Sequence, residues 1–179
     1  MGGKDVVVFC SASDDIDPKY NKAAHDTVEA LCRLGYGIVS GGSFRGTMGA
    51  VSDTVVESGG RHRGVLPRFM EGLQYHRLDS LEWTETMSRR KEEMRRGTVA
   101  AVILPGGIGT MDEFFETLTL AKLGRYEGRL LALNVDGFFD PLVALLDHMR
   151  DSGMMDDHAR GLVSFYNSPE ELAASLGKA

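Results

Sequence analysis

Residues 104–118, LPGGIGTMDEFFETL, run from an apolar segment through a glycine-rich turn into an amphipathic pattern that opens on acids. Glycines let backbone N–H groups close on a ligand, and a helix starting just after them adds unpaired donors and a positive dipole end, which together suit a phosphate. Asp112 and Glu113 complicate that reading. Carboxylates in a first helical turn are favoured by the macrodipole, by about 0.3–1 kcal/mol each, but a bound phosphate would compete for the same positive end. A loop serving a phosphate alone would do better without Glu113, so this carboxylate is a candidate for chemistry. The matching cations lie just upstream. TETMSRRKEEMRRG, residues 84–97, places five of them between positions 89 and 96. Pairs of Arg89 with Glu93 and of Glu92 with Arg96 are predicted at helical spacing, an ordinary solvated face. That pattern does not satisfy both Arg90 and Lys91, and a cation there can reach the same crevice as Glu113 and oppose a phosphate or carboxylate.

The elements that must hold these residues are short apolar runs alternating with helical patterns. Strands are predicted at 5–10, 36–40, 63–66, 99–104, 130–135 and 162–165, rich in Val, Ile and Leu without two-residue alternation, as in a parallel sheet covered on both faces. Helices are predicted at 18–34, 47–58, 86–97, 110–123, 138–151 and 168–177, the last with Ser168 as N-cap and Pro169 in its first turn. In the helix at 110–123, Met111, Phe114, Phe115, Leu118 and Ala121 form the apolar face, and Asp112, Glu113 and Glu116 fall off it. This order predicts an α/β fold: a single-domain, Rossmann-like, doubly wound and mainly parallel sheet flanked by helices, spanning residues 1–179. Ligands in such sheets bind beyond the carboxyl ends of the strands. Three exits there are rich in small residues: SASDD at 11–15, SGGSFRGTMG at 40–49 and PGGIGT at 105–110.

Two glycine loops in one short chain favour a phosphate site over mere turn formation. Named motifs narrow the choice. GGSFRGT has the GxxxxG frame of an ATPase loop, but Thr47 stands where the lysine belongs, and neither loop reads GxGxxG, which weakens a hydride-transferring dinucleotide fold. With a net charge of −6, the chain is expected to avoid nucleic acid and anionic membranes while still admitting a small anion. Cys10 and Cys32 lack metal spacing and read as reduced thiols of a cytoplasmic protein. The five histidines are scattered, so no metal is expected, and no apolar run approaches a membrane span.

Two motifs together carry a resemblance. MSRRKEEM at 87–94, followed by PGGIGTMDE at 105–113, resembles the MxxRKxxM and PGGxGTxxE pair of the Lonely-guy (LOG) family, the cytokinin riboside 5′-monophosphate phosphoribohydrolases. Related segments run through nearly the whole chain: VFCSAS and DPKY near the start, residues 46–67, and ALNVDGFFDPL at 132–142. PGGxGT alone is shared with non-catalytic nucleotide-binding relatives similar to molybdenum-cofactor carriers.

The resemblance implies hydrolysis of the N-glycosidic bond of a purine nucleoside 5′-monophosphate, N6-modified or plain AMP, to free base and ribose 5-phosphate. It makes Arg90 and Glu113 the catalytic pair. It assigns substrate contacts to Lys91, Gly41, Gly42, Met87 and to Gly106, Gly107, Ile108, Gly109 and Thr110, with no cofactor and a homodimer or larger assembly. A prenyl group on the base would need an apolar pocket, for which Met48 and Met87 are candidates. The chain departs from the family pattern at Ser11-Ala12-Ser13, at Ser40, Ser43 and Thr47, and throughout 68–84. The alternatives are a non-catalytic nucleotide or cofactor carrier or sensor of the same fold, and an NAD-dependent oxidoreductase.

Overall fold

The structure is a computed structural model and describes residues 4–177. Seven strands, β1 (Asp5–Phe9), β2 (Gly37–Ser40), β3 (His62–Pro67), β4 (Ser80–Thr84), β5 (Thr98–Ile103), β6 (Arg129–Leu133) and β7 (Val163–Tyr166), form one parallel sheet in the order β4-β3-β2-β1-β5-β6-β7. The chain begins in the middle, winds out to β4, then returns beside β1 and winds out the other way. Its direction therefore reverses between β1 and β5, where a crevice must open at the carboxyl ends of the strands.

Side-chain alternation along each strand splits the core into two layers. Val6 and Val8 of β1, with Ala100 and Val102 of β5, pack under α1 (Pro18–Arg33), α2 (Gly46–Glu57) and α7 (Pro169–Leu176). Val7 and Phe9, with Ala101 and Ile103, face Met94 of α3 (Met87–Arg95), Phe114 and Leu118 of α4 (Ile108–Lys122) and Leu146 of α5 (Asp140–Asp151). Covering on both faces explains why the strands read as unbroken apolar runs. Ser168 caps α7 by accepting from the Glu171 N–H, with Pro169 following, as the sequence predicts.

Two elements were not expected. β4, SLEWT, is an edge strand whose residues are mostly only half-covered, so it lacks the apolar run that marks the inner strands. The helix α6 (Asp157–Gly161) is a single short turn, whose one local signal is Asp156 accepting from the Ala159 N–H. Among the described residues no helix is long and apolar enough to cross a membrane, and no cluster of metal-ligating side chains forms.

Candidate active site

The loops leaving β1, β2 and β5 meet at the reversal point around a cavity of about 330 Å³. Its floor is an ion pair. Arg90, on the first turn of α3, and Glu113, on α4, are each 7% exposed, and Arg90 Nη1 lies 3.3 Å from Glu113 Oε1. The Arg90 guanidinium is aimed by two backbone acceptors, donating through Nε to the Val65 carbonyl at 3.0 Å and through Nη2 to that of Gly41 at 3.4 Å. Burial pushes the Glu113 carboxyl up to about 7, against the opposing pull of Arg90. A carboxyl titrating near neutrality inside a cleft is suited to proton transfer or to meeting a developing positive charge. Here the sequence reading needs correction: Glu113 belongs to the covered face of α4 with Phe114, Thr117 and Leu118, whereas Met111, Phe115 and Ala121 are only partly covered. A face judged by hydrophobicity alone cannot include a buried carboxylate.

The helix that carries Glu113, α4, starts after Gly107, which caps it without any side-chain hydrogen bond. Its first-turn N–H groups at Ile108, Gly109 and Thr110 are the orphan donors of a helix start. Gly107, Gly109 and Thr110 line the cavity, while Ile108 is 91% exposed and does not line it. Gly106 is required by crowding, since a Cβ there would lie 2.0 Å from Thr110 Oγ1.

The other glycine loop is built differently. Asp14 occupies the start of α2, accepting from the Gly46 N–H at 2.8 Å and from Arg45 Nε at 2.6 Å. The Gly46 hydrogen bond draws the Asp14 carboxyl below its ordinary range. Gly41 lines the cavity, and a Cβ there would strike Arg90 Nη2 at 2.2 Å; Gly42, with φ of 72°, has Leu66 and Gly64 against it. The two glycine loops thus differ: the start of α4 has no side-chain partner, and the start of α2 is filled by the chain's own Asp14 carboxylate. Ser40, Ser43 and Thr47 are buried and hydrogen-bonded to His62, the Arg45 N–H and Asn21 respectively.

Lys91 stands outside the cavity. Its Nζ donates to Asp112 at 2.8 and 2.9 Å and meets Glu116, which also accepts from Arg95 Nη2 at 2.6 Å. Burial disfavours its charge, yet the two carboxylates hold the ammonium above the ordinary lysine range. This four-residue strap ties α3 to α4 and so fixes Arg90 against Glu113. Asp112, read as a simple first-turn acid, is one end of it. Arg89 reaches Glu93 as predicted and also Glu92, but Arg96 pairs with Glu93 and Glu82 rather than with Glu92, because Glu93 is the carboxylate buried between the two arginines. Met87 lines the cavity with Met48, Met70 and Met94. Met70 comes from the segment 68–84 and carried no signal in sequence. A wider cleft of about 770 Å³ lies between α3, α4 and Tyr126, but Arg90 and Glu113 do not line it.

A sequence model of a family described as possible lysine decarboxylase matches residues 48–176. The cytokinin riboside 5′-monophosphate phosphoribohydrolase LOG7 of Arabidopsis thaliana is 34% identical over 176 residues, 97% of this chain and 81% of that protein. The enzyme of the same name, LOG, from Oryza sativa is 32% identical over 96% of this chain and 72% of its own. The fold is also that of the molybdenum cofactor binding protein of Rippkaea orientalis, with a TM-score of 0.73 and 20% identity over 98% of both chains. The Chlamydomonas reinhardtii molybdenum cofactor carrier protein superposes with a TM-score of 0.74 at 18% identity, covering 98% of this chain and 96% of its own. At those identities the carriers share the architecture alone, whereas identity to the plant proteins extends over almost all of these 179 residues: the chain belongs to the LOG family.

Proposed function

We propose that this cavity hydrolyses the N-glycosidic bond of a purine nucleoside 5′-monophosphate, releasing the base and ribose 5-phosphate. The observation that carries the reading is a buried carboxyl pushed up to about 7, paired with Arg90 and sharing one cavity with an uncapped helix start. The Gly107–Thr110 donors hold the 5′-phosphate, and that remote binding orients the ribose over Glu113. Glu113, as carboxylate, activates the attacking water or stabilises the oxocarbenium-like anomeric centre, and Arg90 positions it or assists departure of the base. The methionine wall offers an adaptable apolar surface to a substituted base. Lysine decarboxylation, the reaction in the family model's description, is supported less well. A carbonyl cofactor held as a Schiff base needs a lysine in the pocket, and the described lining holds none, Lys91 being engaged by Asp112 and Glu116.

The test is incubation of the purified protein with AMP and an N6-prenylated AMP, followed by chromatography of free base. Release from either supports the enzyme; nucleotide binding without release from both overturns it in favour of a carrier or sensor. Binding of NAD(H) would revive the oxidoreductase alternative. The homodimer implied by the family likeness is part of the same proposal, and light scattering of the purified protein decides it.

A further inference from the structure

Arg90 is aimed by two carbonyls that belong to different strands. Val65 lies in β3, and Gly41 follows the last residue of β2. Regular pairing of these strands reaches Ser40 opposite Gly64 and stops there, so the ladder does not itself fix where the Gly41 carbonyl points. What lies at that place is a buried polar pair. Ser40 and His62 are both almost wholly inaccessible, with Ser40 Oγ 2.8 Å from His62 Nε2. Ser40 Oγ also accepts from the Gly42 N–H at 3.1 Å, so one side chain grips the peptide unit that carries the Gly41 carbonyl. His62 is anchored in turn, its N–H donating to Asp79 Oδ2 at 2.6 Å and its carbonyl accepting from the Asp79 N–H at 3.0 Å. Ser40 Oγ and His62 Nε2 share one proton, with the donor set by the histidine tautomer, and in either tautomer the other ring nitrogen, Nδ1, is buried without a partner.

We propose that Ser40 and His62 are positioning residues: a buried brace between β2 and β3 that sets the spacing of the two carbonyls clamping Arg90, and through Arg90 the approach of its charge to Glu113. An apolar pair would fill the same space without leaving a histidine nitrogen unpaired, and a buried polar group that costs stability is better explained by geometry it enforces. The inference deepens the proposed function, on which its kinetic arm rests. Its other arm does not. Glu113 is faced by Arg90, Lys91 and Arg95 from α3, by Asp112 from α4 and by the Cys10 thiol beyond β1. Loosening Arg90 alone withdraws one cation and leaves the others in place.

The experiment compares wild type with Ser40→Ala, His62→Leu and His62→Gln, the last carrying an amide where Nε2 stood. The Glu113 carboxyl is titrated by ¹³C NMR of glutamate-labelled protein, with Glu113→Gln identifying the signal. Ser40→Ala and His62→Leu are expected to shift that titration upward and to lower kcat about tenfold with KM little changed, the size a small misplacement of a catalytic group produces. His62→Gln is expected to restore both. An unmoved Glu113 titration in folded Ser40→Ala overturns the proposal, as does equal loss in His62→Gln and His62→Leu. So does failure of both disrupting variants to fold, which would make the pair a general core contact. If wild type releases no base, the hydrolase reading fails, while the titration still decides the brace.

Discussion

The two glycine loops at the carboxyl edge of the sheet look alike in sequence and differ in what they leave open. PGGIGT leads into α4, whose first-turn donors have no side-chain partner, while SGGSFRGTMG leads into α2, whose start is filled by Asp14. In the first loop Gly106 makes room for Thr110; in the second Gly41 makes room for Arg90. Glycine before a helix therefore marks a close approach of some kind, and only the unused donors say whether the partner is a ligand or the protein itself.

Substitutions at the two loops test that contrast. The largest effect is expected at Glu113 beside the open loop: Glu113→Gln should cut base release by about 10²–10⁴-fold with the fold intact, and undiminished turnover would remove it from the chemistry. Next comes the pH dependence of the same group. Its carboxyl is raised from 4.5 to about 7 in the folded protein, so the unfolded chain ionises first and wild type loses stability, relative to Glu113→Gln, as pH rises across that window. Urea titrations at pH 4 and pH 8 should show the gap between the two proteins move toward the variant by on the order of 3 kcal/mol. Over the same window kcat/KM should rise with pH, as the working carboxylate forms; a fall would make Glu113 an acid instead.

A smaller change follows from Gly106→Ala, whose methyl displaces Thr110. KM for the monophosphate should rise about tenfold, the worth of a charge-assisted hydrogen bond, with KM for the bare nucleoside unaffected. The smallest belongs to the filled loop. Asp14→Ala should lower Tm by a few degrees through loss of a helix cap and leave KM unchanged. A raised KM in that variant would erase the distinction between the loops.

Much of the fold was legible because covered parallel strands announce themselves as runs such as VVVF and AAVI, and α7 carries its own cap. β4 was not, since an edge strand needs cover on only part of its surface. Arg90 and Glu113 were picked out as a surplus cation and a misplaced acid, and the structure brings them together 23 residues apart. Lys91 shared the same motif but is turned to Asp112 and Glu116, a choice that adjacent positions on one helix leave to the neighbouring helix.

Composition, period and turn chemistry, which act within a few residues, thus determined a parallel α/β sheet, the helix starts and the residue types available at its carboxyl edge. Which helix start stays open, which carboxylate is desolvated and which cation meets it were decided only by packing. Those properties depend on Asp14 crossing to Gly46, on β2 and β3 presenting their carbonyls to Arg90, and on the burial that raises Glu113, all contacts between segments distant in the chain.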